Sequence, residues 1–74
     1  MTSNPVKAKV RQYIRTTVAA PEYFSLGQIG QVNSIIVDDD TPDGYAYYID
    51  FGLDSGETEF WFLDSDEFEL YEGN

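Results

Sequence analysis

Apolar and polar positions alternate along much of this chain with the two-residue period of a β-strand. In "VKAKVRQYI", Val6, Ala8 and Val10 alternate with Lys7, Lys9 and Arg11, which predicts a strand with one solvated face. Val6, Val10 and Ile14 also fit helical spacing, and Asn4-Pro5 would suit a helix start. No other part of the chain is helical in pattern, so a strand is preferred. "RTTVAAPEYF" has no steady period and contains Pro21, and it reads as a long loop. "SLGQIGQVNSIIV" sets Gly27 and Gly30 just before a β-branched run, where a diverging turn needs positive φ or close backbone approach. "DDDTPDG" is a turn cluster. "DSDE" is a second short connection, leading into "FELYE" with Phe68 and Leu70 on one side. Five short strands without a convincing helix imply an all-β fold, a small antiparallel barrel or sandwich.

The stretch "GYAYYIDFGLDSGETEFWFLD" predicts a hairpin with bulky aromatics on both faces. Tyr45, Tyr47, Ile49 and Phe51 share one face of its first strand, while Ala46, Tyr48 and Asp50 share the other. A four-residue loop from Leu53 to Gly56 would pair Phe51 with Thr58, Ile49 with Phe60 and Tyr47 with Phe62, all facing inward. Asp50 would then lie opposite Glu59, and Tyr48 opposite Trp61, on an outer face. The predicted core is Val10, Val32, Ile49, Phe60, Phe62 and Phe68.

Length bounds the picture. Seventy-four residues make one small domain, close to the size at which a single core is only just sufficient. Residues 1–5 read as an N-terminal tail, 6–72 as the folded domain and 73–74 as a C-terminal end. A chain that is 42% hydrophobic and 16% aromatic is too rich for disorder, despite a net charge of −10. There is no cysteine and no histidine, which removes disulfides, thiol chemistry and the commonest zinc ligands. No apolar run approaches a membrane span, and no secretory signal pattern opens the chain, so a cytoplasmic location is expected.

Charge is divided by position. All four cations (Lys7, Lys9, Arg11 and Arg15) precede the acidic part, and of the fourteen acids only Glu22 lies before Asp38. That imbalance repels phosphate backbones and favours basic or neutral partners. Catalysis would need a pair such as Asp50 and Glu59, but an open strand face does not dry out enough to separate two carboxylate pKa values. No catalytic residue and no cofactor is expected. "DDDTPDG" invites a calcium reading, yet Pro42 occupies the fifth position of an EF-hand loop and Asp43 replaces the glycine at the sixth. No metal site is expected.

The order of basic strand, long loop, "GQIGQV", acidic turn, "YYIDF" and "EFWFLDSDEFELYE" resembles the Src-homology-3-like small barrels, including the KOW and Tudor-type variants. The resemblance covers about residues 6–72. Its most specific parts are Gly27-x-x-Gly30-x-Val32 entering a strand and the closing "DEFELY". It implies a five-stranded antiparallel barrel that binds peptides, nucleic acid or other subunits through the long first loop and adjacent strand ends.

The residues themselves point to a non-catalytic protein-interaction module. Its predicted patch is Tyr48 and Trp61 flanked by Asp50 and Glu59, with Tyr23 and Phe24 of the long loop as the second candidate surface. The expected partner is a basic or neutral protein, and the chain itself is expected as a monomer or weak homodimer. Two alternatives stand beside this. One is a DNA-mimicking inhibitor of a nucleic-acid-binding protein, of phage or mobile-element type, with carboxylates in place of phosphates. The other is nucleic-acid binding through Lys7, Lys9, Arg11 and Arg15 aided by Tyr13, which the overall charge opposes.

Overall fold

The computed structural model describes residues 5–20, 22–53 and 59–72. Five strands form one sheet: β1 Tyr13–Thr16, β2 Ile29–Val37, β3 Tyr45–Asp50, β4 Phe60–Leu63 and β5 Phe68–Leu70. A 3-10 turn, Ser65–Glu67, joins β4 to β5. Neighbours run antiparallel in the order β4-β3-β2-β1-β5. No α-helix occurs among the described residues. β4 and β5 end the sheet and do not pair with each other among those residues, so the sheet does not close into a barrel.

The turns form for the reasons their residues suggest. In "DDDTPDG" the Asp38 carboxylate accepts from the Asp40 N–H at 3.0 Å, and the Asp43 carboxylate accepts from the Tyr45 N–H at 3.1 Å. The Asp38 N–H donates to the Gly44 carbonyl at 2.9 Å and closes the β2–β3 hairpin. Both earlier glycines are needed, for different reasons. Gly27 has φ +76°, which glycine adopts without a Cβ penalty. Gly30 lies under the core, where an added Cβ would collide with Ile49 and come within 2.9 Å of the Phe51 ring. Gly30→Ala should therefore cost about 1–3 kcal/mol through overpacking. A denaturant midpoint within error of wild type would show that the ring moves aside freely.

One face of the sheet carries the core: Ala8, Ile14, Phe24, Val32, Tyr47, Ile49, Phe51, Leu63 and Phe68. Burial of the predicted Val32, Ile49 and Phe68 agrees with the pattern. Three of the predicted core residues are not buried. Val10 is exposed because residues 6–11 are not a strand. The chain there folds into a turn, with the Gln12 N–H donating to the Lys9 carbonyl at 3.0 Å and Arg11 at φ 78°. Only Ala8 dips into the core. Lys7 is drawn in with it: its ammonium reaches the carbonyls of Ser65 and Phe68 and lies 4.7 Å from the centre of the Phe68 ring.

Phe60 and Phe62 are the other two corrections, and they share one cause. β3 and β4 pair Tyr47 with Leu63, Tyr48 with Phe62, Ile49 with Trp61 and Asp50 with Phe60. This is one residue away from the expected register, and a one-residue slip exchanges the two faces of a strand. Leu63 takes the fully buried place opposite Tyr47, and Phe62 turns outward, 48% exposed. The Leu53–Gly56 loop expected to set that register, like the Phe51–Thr58 pair, reaches into residues 54–58, outside the described part. Residues 1–4 of the tail expected over 1–5, and the end expected at 73–74, also lie outside the described part.

Candidate functional site

The outer face of β2, β3 and β4 is built by the same alternation that builds the core. Tyr48 lies between Ser34 of β2 and Phe62 of β4, and Asp50 lies between Gln31 and Phe60. Phe60 and Phe62, two residues apart, therefore flank Tyr48, with ring centroids 4.9 and 4.5 Å from its own. Ile36, opposite Ala46 in the next outward row, is exposed and extends this apolar strip. Two phenylalanine rings on either side of Tyr48, with Phe62 half open to water, form an aromatic feature that the core leaves unused.

Acidic groups border the strip. Asp50 is held in place by accepting the Gly52 N–H at 2.8 Å, and Glu59 is exposed just before β4. Beyond Asp50 opens a polar cleft of about 310 Å³ lined by Val10, Arg11, Gln31, Val32, Asn33 and Asp50. Apolar strip and polar cleft thus meet at one carboxylate.

The structure separates the residues that the sequence grouped. Tyr48 faces outward as expected, but its partner is Phe62, and Asp50 faces Phe60 instead of Glu59. Trp61 leaves the patch. It stands on the core side of β4 opposite Ile49 and stacks on Tyr23 with centroids 3.8 Å apart and planes 11° from parallel. Trp61 is 39% exposed and Tyr23 is exposed, so the stack is a clasp at the rim of the core. Phe24 is buried and stacked on Phe51 at 5.4 Å, a packing residue of the long loop. Phe60, Phe62 and Ile36 were the missed members of the outer face. The signal for them was Leu63, which competes with the phenylalanines for the core side.

The cations do not form the expected basic face. Lys7 is tied to carbonyls, and Arg15 pairs with Glu69 across β1 and β5. Carboxylates instead gather at one end. Oxygens of Asp64, Asp66 and Glu67 lie within 4.8 Å of one another, and one Glu67 oxygen accepts the Asp64 N–H at 2.8 Å. Desolvation raises the Asp64 pKa first, and the charges of Asp66, Asp38 and Asp43 add to it. Among the described residues no helix is long and apolar enough to cross a membrane. In comparisons with protein-family models, curated protein sequences and solved structures, none matches this chain.

Proposed function

We propose that the protein is a small acidic, non-catalytic interaction module of the cytoplasm. Its outer face of Tyr48, Phe60, Phe62 and Ile36 docks a basic protein segment. The observation that carries this reading is the half-exposed Phe62 in contact with Tyr48. Aromatic side chains supply large, rigid contact area and dominate interface energetics. Asp50 and Glu59 on the border, with the net charge of −10, select Lys- or Arg-bearing segments and speed their encounter. The five-stranded antiparallel sheet supports placing the chain with the Src-homology-3-like barrels, as an open variant.

Titration of the folded protein with a panel of defined Arg- and Lys-rich peptides carrying one apolar anchor tests the reading. Phe62→Ala should weaken the best binder by about 1–2 kcal/mol, roughly tenfold or more, whereas Trp61→Ala should leave its affinity nearly unchanged. The opposite pattern would move the surface to the Tyr23–Trp61 clasp.

A second reading, a DNA-mimicking inhibitor, is favoured by the gathering of Asp64, Asp66 and Glu67 near Asp38 and Asp43. In that case the protein should displace DNA from a basic DNA-binding protein, and Phe62→Ala should leave the displacement intact.

A further inference from the structure

β2 is nine residues long, but β1 covers only its first part. Their pairing reaches Gln31, opposite Tyr13. Just beyond, the Val32 N–H donates to the Gln12 carbonyl at 2.9 Å, and the Val32 carbonyl accepts from the Arg11 N–H at 2.7 Å. From Ser34 to Val37, β2 pairs with β3 on one side, and among the described residues no strand lies on the other.

The backbone groups on that open side can be assigned. Alternate residues of an antiparallel ladder bond to opposite neighbours. Asp38 bonds to Gly44 on the β3 side, so Ile35 and Val37 turn their N–H and C=O groups the other way. Counting from Val32 agrees, because the bulge between Val32 and Ser34 shifts the alternation by one residue. An edge of this kind templates another strand unless charge or proline protects it. From Gln31 to Val37 there is neither, and Val37 is 75% exposed.

We propose that this edge is a self-association site, at which two copies pair their β2 strands antiparallel about a two-fold axis at Ile35. The flanking charges point to a second copy as the occupant. With Ile35 opposite its own counterpart, Asn33 falls opposite Val37, and the pairing ends there because Arg11 already fills the place beside Val32. Arg11 sits beside Val32 on this same edge, so each Asp38–Asp40 turn meets the other copy's Arg11, twice by symmetry. Among the described residues neither Arg11 nor Asp38, Asp39 or Asp40 makes an ion pair within the chain. A cation at one end and carboxylates at the other complement themselves under a two-fold, whereas a site for a uniformly basic segment would be acidic at both ends. The pairing also sets Ile36 beside Ser34 of the other copy and joins the two outer aromatic faces into one surface.

Sedimentation equilibrium in about 0.15 M salt, from about 10 μM to about 1 mM protein, tests this. The average mass should rise from 8.4 kDa towards twice that value and no further. Val37→Pro removes an edge N–H without touching the β3 ladder and should weaken association at least about tenfold. Arg11→Asp, at a positive-φ position that aspartate tolerates, should do the same, and adding Asp39→Arg should restore it. Circular dichroism checks that each variant is folded, and if Val37→Pro is not, the charge swap decides alone. A constant mass of one chain, growth beyond a dimer, undiminished association in a folded single variant, or failure of the swap to restore it overturns the proposal.

Discussion

Phe68→Ala should destabilise the protein by about 3–5 kcal/mol, while Phe62→Ala should cost less than about 1 kcal/mol. Both remove the same ring from a strand of the same sheet, so composition cannot distinguish them. Surroundings do. Phe68 is 1% exposed and meets Tyr47 edge-to-face at 5.0 Å, with the Lys7 ammonium over its ring. Truncation would leave a cavity between β5 and β3 and remove the surface against which the N-terminal segment is anchored. Phe62 touches Tyr48 and is otherwise half in water. A 74-residue chain has a total stability of roughly 4–11 kcal/mol, so the first loss is a large part of the whole. Urea melts of the two variants side by side make the measurement. Equal costs would mean that the outer face is covered, and the proposed interaction surface would fail with it.

That contrast also shows where the sequence was readable. The inner face of β3 is clear because Tyr45, Tyr47, Ile49 and Phe51 oppose Ala46, Tyr48 and Asp50, so only one face can be the core. The acidic turn and the two glycines are clear for a similar reason, since each residue there has few backbone conformations to choose from. β4 gives no such preference. "FWFL" is apolar on both faces, and shifting it by one residue exchanges Phe60 and Phe62 for Trp61 and Leu63 at little cost in buried area. Tertiary packing decides, with Leu63 against Tyr47 and Trp61 against Tyr23. The site inherits this ambiguity: Tyr48 and Asp50 lie on β3 and keep their outward places, while Trp61 on β4 does not. The alternation of residues 6–11 misled for another reason. Val6 and Val10 stay exposed, and the segment is held by a buried alanine, a carbonyl-bound lysine and backbone N–H bonds to the Tyr47 hydroxyl and the Val32 carbonyl.

Tyr47 ties that segment to the acidic turn, and its titration gives the second large effect. The Lys7 N–H donates to the Tyr47 hydroxyl at 2.8 Å, and that hydroxyl donates to the Asp43 carboxylate at 2.6 Å. Burial pushes the phenol pKa up to about 12, and the hydrogen bond to Asp43 reinforces the shift. The folded state therefore holds this proton more tightly than the unfolded chain, whose tyrosines ionise near their ordinary value of about 10. The stabilisation is complete below about pH 10 and is lost as pH rises towards about 12, a fall of about 2–3 kcal/mol. Tyr47→Phe keeps the ring but has no proton to lose. Near neutral pH it should be the weaker protein by about 1–3 kcal/mol, because the Lys7 N–H and the Asp43 carboxylate each lose a partner. Above about pH 11 the difference should shrink or reverse, since only in wild type does the unfolded chain gain by ionising Tyr47 while the folded protein still holds the proton. Denaturant midpoints of both proteins across the alkaline range give the comparison directly. Parallel curves would place the alkaline loss outside the Lys7–Tyr47–Asp43 chain.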